Sequence, residues 1–281
     1  MPERLRNCLT VDVEDWFHVC GAGGPLAFQH WDTLPSRIVD TTRDLLGLLD
    51  SCGVRGTFFV LGWVAARHPE LVRDIASAGH EIGSHGHLHR RVFELTPQTF
   101  SDDLEASRAA LAAAGVDTVR GFRAPEWSIN DRSLWALEVL ARSGFTFDSS
   151  MAPMRIVGDP RYPQRPHTRT TPCGDLLEFP PLVGRRFGQN MPLGLGWGLR
   201  MTNPARIVDA IDAHNRLGIP VALAVHPWEI DPSPPQVKLP LATSFAHYFR
   251  LGGFRARLER VLRGTAFAPM SEVLGLSPVS P

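Results

Sequence analysis

Residues 79–89 read Gly79-His80-Glu81-Ile82-Gly83-Ser84-His85-Gly86-His87-Leu88-His89, a stretch with four histidines that directly follows an amphipathic run. His85 and His89 are four positions apart, and on a helical turn that spacing brings both imidazoles to one side, within reach of a single divalent cation. Short histidine clusters are often incidental, so the pair alone does not define a site. Zinc chemistry favours two histidines and a carboxylate, with one position left for water, and a third ligand must therefore be found.

The carboxylate candidates lie near the N-terminus, in the stretch Leu9-Thr10-Val11-Asp12-Val13-Glu14-Asp15. This stretch is typical of a buried strand that ends in three acidic residues. Burying these acids is costly unless a cation or hydrogen-bond donors compensate their charge. On a strand, Asp12 and Glu14 would face the same side. The alternative is that Glu14 and Asp15 begin a solvated loop.

Apolar periodicity and the positions of glycine and proline predict alternating strands and helices, which indicates parallel β/α units. The predicted strands lie near residues 9–15, 56–61, 80–84, 119–123, 145–150, 176–179 and 221–226, and the predicted helices near residues 36–50, 69–78, 96–115, 131–140, 203–218 and 245–262. Parallel β/α barrels place their active sites at the carboxyl ends of the strands. The polar residues at or just beyond these ends are Asp12, Glu14, Asp15, His85, His89, Arg123, Asp148 and His226.

Composition excludes several classes of protein. Lys and Arg total 29 and so do Asp and Glu, so no net charge attracts the chain to nucleic acid or to an anionic membrane. The four cysteines are widely spaced without a CxxC pair, which predicts free thiols. The first residues have no signal-peptide core, and no apolar run reaches about 18 residues, so we expect a cytoplasmic protein without a membrane span.

Five blocks of sequence together resemble the polysaccharide deacetylases of carbohydrate esterase family 4, the NodB-homology group. They are Leu-Thr-Val-Asp-Val-Glu-Asp, Ser-His-Gly-His-Leu-His, Phe-Arg-Ala-Pro-Glu-Trp, Phe-Asp-Ser-Ser and Leu-Ala-Val-His, in order over residues 9–226. The chain is most similar to a subgroup associated with exopolysaccharide loci, which has Asp-Val-Glu-Asp-Trp near its start and a C-terminal extension. The resemblance implies an α/β fold, an irregular, incomplete (β/α)7-type barrel with a C-terminal helical extension. It divides the chain into a catalytic domain, residues 1–226, and an extension packed on it, residues 227–281.

The same resemblance implies roles for individual residues. Asp12 would be the general base, and Arg123 would hold it through a charged hydrogen bond. His226 would be the general acid, and His85 and His89 would be metal ligands. Relatives with an Asp-x-Asp pattern select Glu14 as the third ligand, but Asp15 remains a rival because a chain leaving its strand need not keep alternating.

Further residues are assigned to the surroundings of the site. In many relatives an aspartate orients the acid histidine, and Asp148 or Asp175 could do so here. The substrate-binding candidates are Pro125, Glu126, Trp127 and Trp228, with the backbone N–H of Glu126 able to face an oxyanion. Other histidines are expected to be structural or exposed (His80 and His87) or on the surface (His18, His30 and His68).

These assignments predict a hydrolase that acts on amide bonds, a polysaccharide N-deacetylase with a metal-activated water, an aspartate base and a histidine acid. Its partner would be an N-acetylated glycan or a precursor in exopolysaccharide biosynthesis, and its cofactor one divalent metal ion. We expect Zn²⁺, although nickel, cobalt and iron suit the same ligands. The alternatives are hydrolysis of a small cyclic amide or ureide, as in allantoinase-like relatives, and a non-catalytic carbohydrate-binding protein. The glycan, the acylated atom and the oligomeric state are not predicted.

Overall fold

A curled sheet of parallel strands forms the centre of the protein. The computed structural model describes residues 5–186 and 188–276, so residues 1–4 and 277–281 of the predicted domains lie outside the described part. The strands are β1 (Asn7–Val13), β2 (Thr57–Val60), β3 (Glu81–Ser84), β4 (Gly121–Phe122), β5 (Phe147–Asp148), β6 (His167–Thr171), β7 (Gly174–Glu178), β8 (Gly184–Arg186), β9 (Gln189–Met191), β10 (Ala222–Val225) and β11 (Phe267–Ala268).

The strand order β10-β1-β2-β3-β4-β5-β7 is parallel throughout. β6 adds an antiparallel edge to β7, and β11 pairs with the start of β1. On its other side, β10 meets the chain after β7 through isolated bridges, Pro181 to Ala222 and Leu195 to Ala224, in place of a continuous ladder. The sheet is therefore an irregular, incomplete (β/α) barrel, and the predicted fold class is confirmed.

Helices follow the strands and cover the sheet. They are α1 (Ile38–Ser51), α2 (Gly62–Arg67), α3 (Pro69–Ser77), α4 (Pro97–Ala113), α5 (Trp135–Arg142), α6 (Gly196–Met201), α7 (Pro204–Asn215), α8 (Leu241–Tyr248), α9 (Phe254–Gly264) and α10 (Met270–Val273). Proline opens α3, α4 and α7, where its missing N–H costs no helical hydrogen bond. The single helix predicted near residues 245–262 was wrong, because left-handed backbone at Arg250 and Gly253 separates α8 from α9.

Burial on both faces explains the apolar character of the central strands. Every residue of β1, β2 and β10 is buried, as expected for parallel strands covered by helices. The four cysteines are free, as predicted. Within residues 5–186 and 188–276, each helix is too short or too polar to cross a membrane.

The side chain of Asn7, on β1, links this strand to the segments that lead into β10 and β11. Its side-chain oxygen accepts a hydrogen bond from the N–H of Val221 just before β10, at 3.0 Å. Its amide donates to Thr265 Oγ1 at 3.2 Å and to the carbonyl of Ala266, just before β11, at 3.3 Å. The Asn7 side chain is completely buried, so one polar group adds to the backbone pairing of β1 with β10 and β11.

Replacing Asn7 by alanine should therefore destabilise the protein. Asn7→Ala leaves the buried N–H of Val221 without its partner, which typically costs about 1–3 kcal/mol. We expect that loss in the free energy of unfolding measured by urea titration. Gln98→Ala removes an exposed amide from α4 and should change stability by less than about 0.5 kcal/mol; equal effects of the two substitutions would contradict the role of Asn7.

Candidate active site and metal centre

Polar side chains converge at the carboxyl ends of four parallel strands. Asp12 and Glu14 come from the end of β1, His85 follows β3, Arg123 follows β4 and His226 follows β10. Four of these residues, together with His89, line a cavity of about 300 Å³; Arg123 lies behind Asp12. The parallel sheet therefore brings residues far apart in sequence to one face.

Glu14, His85 and His89 form a cluster that could hold a metal ion. Their ligand atoms all lie within 4.8 Å of one another, and all three residues are buried. Glu14 Oε2 lies 3.6 Å from His85 Nε2 and contacts His89 Nε2. Burial alone would raise the pKa of Glu14, but the charges of His89 and His226 and the close contacts with His85 and His89 lower that pKa well below its usual value. The carboxylate is thus in its ligating, ionised form.

The far sides of both imidazoles are held by other groups. His85 Nδ1 donates to the carbonyl of Arg123 at 2.8 Å, so its Nε2 has a free lone pair. His89 Nδ1 lies 3.3 Å from Cys20 Sγ, and this thiol donates to the carbonyl of His89 at 3.2 Å. Both rings therefore direct Nε2 toward Glu14, and each Nε2 can bind a cation once it has lost its proton. Two imidazoles and a buried carboxylate therefore fit a divalent cation of the zinc type.

The two histidines meet across a loop and not along a helical turn, so that part of the prediction was wrong. Residues 85–89 are non-helical, with left-handed φ values of 74° at Gly86 and 50° at His89. Glu126 and Trp127 also have positive φ values, 53° and 50°, and they line the same cavity as His89. Such conformations cost about 1–3 kcal/mol each and cluster at functional sites.

Asp15 lies outside this metal cluster. Its carboxylate accepts hydrogen bonds from Ser36 Oγ at 2.6 Å and from the N–H groups of Arg37 and Ile38 at 3.0 and 3.3 Å. It thus satisfies the free N–H groups at the start of α1. Of the two carboxylates proposed as ligand, the structure brings Glu14, and not Asp15, to the histidines.

Asp12 forms a buried ion pair with Arg123. Arg123 Nη1 donates to Asp12 Oδ1 at 3.1 Å, and its Nη2 donates to Thr10 Oγ1 and to Ser149 Oγ at 3.2 and 2.7 Å. Arg123 is completely buried. The Phe-Asp-Ser-Ser block therefore contributes Ser149 as a support for the arginine, a role that sequence reasoning missed.

His226 is oriented by Glu229, three residues later. Its Nδ1 donates to Glu229 Oε2 at 3.0 Å, while its Nε2 faces Glu14 Oε1 at 3.5 Å and Asp12 Oδ2 at 3.9 Å. Burial would lower the pKa of His226, but Glu14, Glu229 and Asp12 raise it to about 9.

The carboxylate of Glu229 is itself held in place by neighbouring residues. Arg200, on α6, forms an ion pair with Glu229 Oε1 at 3.0 Å. A Cβ at Gly196 would lie 2.0 Å from Glu229 Oε2, so this carboxylate requires glycine beside it. The sequence contained a signal for Glu229, because it is the first acid after His226, the last residue of the Leu-Ala-Val-His block.

Asp148, the predicted partner of His226, contacts other groups. It accepts a hydrogen bond from Ser150 Oγ and shares one with Glu178, a fully buried carboxyl on β7. Burial raises the pKa of Asp148 to about 6 and the pKa of Glu178 well above its usual value. Asp175, the other candidate, is an exposed residue of β7. The contacts that orient His226 come from Glu229 instead.

The expectation that His18 lies on the surface was wrong. His18 is 3% exposed and packs against Trp31 and Trp63, with ring centroids 4.3 and 5.1 Å away. Its Nδ1 accepts the N–H of Asp15 at 2.8 Å, and burial lowers its pKa well below the usual value. A neutral His18 therefore forms part of the cavity wall.

The predicted substrate-binding residues divide into two groups. Glu126, Trp127 and Trp228 line the cavity, whereas Pro125 is buried in the turn that precedes them and is not a lining residue. Trp228 donates through Nε1 to Glu14 Oε1 at 3.4 Å, and its ring stacks with that of His226.

Two family profiles match the chain. The polysaccharide deacetylase profile matches residues 22–147, and a domain of unknown function, DUF3473, matches residues 149–275. Residues 22–147 thus resemble the polysaccharide deacetylases. The blocks that resemble carbohydrate esterase family 4 and the incomplete barrel agree with this similarity. Residue 148 lies between the two matched ranges. The division of the chain at residue 226 stays a prediction. Membership of the exopolysaccharide subgroup also stays a prediction.

Individual relatives extend this comparison. The chain is 34% identical over 126 residues to a chitooligosaccharide deacetylase of Bradyrhizobium sp. (strain ANU 289), and 30% identical over 147 residues to that of Sinorhizobium fredii. The matches cover 44% and 52% of this chain, and 53% and 63% of the relatives' lengths. A crystal structure assigned to the polysaccharide deacetylases of Mycobacterium smegmatis is 26% identical, with a TM-score of 0.59, and the match covers 100% of this chain and 95% of that one.

The geometry of the site predicts different effects for its two neighbouring acids, Glu14 and Asp15. Glu14→Gln should raise the dissociation constant for Zn²⁺ by more than the roughly 10- to 100-fold typical of outer partners of a metal site. Asp15→Asn should leave that constant within about threefold, because its carboxylate faces α1, but should lower the free energy of unfolding by about 1 kcal/mol. Chelator competition measures the first quantity and urea titration the second. Loss of zinc affinity in Asp15→Asn alone would contradict the assignment.

The carboxyl pair predicts a pH dependence of stability. Raised pKa values mean that the folded protein binds more protons than the unfolded chain, so the free energy of unfolding falls as pH rises from the usual pKa of Asp148, 3.8, through about 6. Glu178→Gln removes one of the two groups and should make this decline shallower in urea titrations between about pH 4 and 7. Glu105→Gln, an exposed site on α4, serves as control. An unchanged slope in Glu178→Gln would show that the pair does not couple folding to protons.

Proposed function

We propose that the protein is a metal-dependent deacetylase that hydrolyses N-acetyl groups of an amino-sugar-containing polysaccharide or its precursor. The observation that carries this proposal is the meeting of three units in one cavity: Asp12 paired with Arg123, the cluster of Glu14, His85 and His89, and His226 paired with Glu229. The matching chitooligosaccharide deacetylases support the substrate class.

The chain supplies a base and an acid on the two sides of a reacting amide. Asp12 would take a proton from the attacking water, with Arg123 holding its carboxylate in place. Nε2 of His226, 3.9 Å from Asp12 Oδ2, would give a proton to the departing amine. Glu229 fixes the ring so that Nε2, and not Nδ1, faces the cavity.

Glu14, His85 and His89 would hold the metal ion, most simply Zn²⁺. A divalent cation bound there would polarise the acyl carbonyl and make water more acidic. The backbone N–H of Glu126, in a turn held left-handed at the cavity wall, is our candidate for an additional oxyanion donor. Trp127 would contact the substrate from the same turn.

The proposal is tested by release of acetate from N-acetylglucosamine oligosaccharides. The wild-type protein with Zn²⁺ should release acetate and should lose this activity on chelation. Asp12→Asn should lower kcat by about 10²–10⁴, the usual contribution of a positioned general base, whereas Asp50→Asn, at an exposed site on α1, should not.

Other outcomes distinguish the alternatives. Turnover of cyclic amides or ureides without acetate release from any glycan would favour the allantoinase-like activity. Glycan binding that survives chelation, without turnover of either substrate class, would favour a carbohydrate-binding protein.

A further inference from the structure

One wall of the active-site cavity belongs to α8, in the segment that matches a domain of unknown function. Thr243, Ala246 and His247 line the cavity together with Asp12 and His226. Their spacing of three and four positions places them on one face of the helix. The residues proposed as base, acid and metal ligands all lie outside this helix.

Arg200 fixes α8 to the catalytic residues. Besides its ion pair with Glu229, it donates hydrogen bonds to the carbonyls of Ala246, His247 and Phe249, at 2.7, 3.1 and 2.8 Å. Only 2% of Arg200 is exposed. The buried guanidinium of Arg200 thus positions two groups. They are the carboxylate of Glu229, which orients His226, and the backbone of α8, which carries His247.

The imidazole of His247 is held in a fixed plane but lacks a polar partner. It stacks on Trp228, with ring centroids 4.4 Å apart and an angle of 27° between the planes, and Trp228 stacks in turn on His226. Nε2 of His247 is buried and has no hydrogen-bond partner among residues 5–186 and 188–276. Since buried polar atoms are nearly always paired, this nitrogen calls for a partner from outside the chain.

The protonation state of His247 defines the chemistry of that partner. Burial lowers its pKa to about 4, with Arg200 and His226 acting in the same direction and Glu14 and Glu229 opposing them. A neutral imidazole has one donor and one acceptor nitrogen. It therefore suits a hydroxyl group, which can both donate and accept, better than a carboxylate or an ammonium group.

We propose that the Thr243, Ala246 and His247 face of α8 is the sugar-recognising wall of the active site, and that His247 hydrogen-bonds a hydroxyl group of the glycan unit that carries the acyl group. This inference rests on the proposed function and assigns part of it to the C-terminal segment. His247 determines which sugars fit, whereas Arg200 is a positioning residue.

His247→Phe tests the hydrogen bond while keeping a ring on Trp228. Calorimetry with an N-acetylglucosamine oligosaccharide should show affinity reduced about tenfold, the usual effect of one lost hydrogen bond. Zinc content and the unfolding midpoint should stay unchanged. His247→Gln, which restores a donor, should recover part of the affinity, and His214→Phe, on α7 outside the cavity, should bind as the wild type does.

Monodeoxy analogues of the sugar identify the hydroxyl. One analogue should bind the wild type about tenfold more weakly than the parent sugar but bind His247→Phe as well as the parent does. The inference would be overturned if wild type and His247→Phe bound the parent sugar with equal affinity. It would also be overturned if every analogue showed the same loss of affinity in both proteins. Because binding does not require turnover, a protein that keeps this difference but releases no acetate would refute the proposed function alone.

Discussion

The site depends on the burial of two carboxylates at the end of β1. Asp12 and Glu14 are 1% and 6% exposed, and unpaired charges cannot remain ionised at such depth without a large penalty. The barrel compensates each of them differently. Arg123 neutralises Asp12, whereas Glu14 faces three imidazoles and, within the described part of the chain, keeps an oxygen without a hydrogen bond. The charge of Asp12 is thus neutralised within the protein, whereas the carboxylate of Glu14 can bind a cation.

The C-terminal half of the chain completes the cavity. β10 lies beside β1 in the sheet and delivers His226 to the carboxylates. Glu229 and Arg200 follow from the same segment and link that histidine to α8. The segment that matches a domain of unknown function is consequently inseparable from the cavity, because it provides a central strand as well as a wall.

Local sequence patterns were sufficient to predict the parts that depend on regular backbone. Alternation along β1 placed Asp12 and Glu14 correctly on one side, and the ends of parallel strands correctly located His85, Arg123 and His226. They failed where a side chain depends on distant partners. Asp15 turns toward Ser36, and His18 is enclosed by Trp31 and Trp63. Contacts of this kind do not depend on the periodicity of the sequence, so a local pattern does not predict them. The same holds for the hydrogen bonds between Arg200 and α8.

The left-handed backbone at His89, Glu126 and Trp127 sets a limit on how well this fold can be optimised. Glycine would relieve the steric conflict at any of these positions, yet it would remove an imidazole, a carboxylate or an indole from the cavity. Stability and the chemical lining of the cavity therefore place opposite demands on these three positions. The most stable sequence for this fold would not keep the cavity as it is.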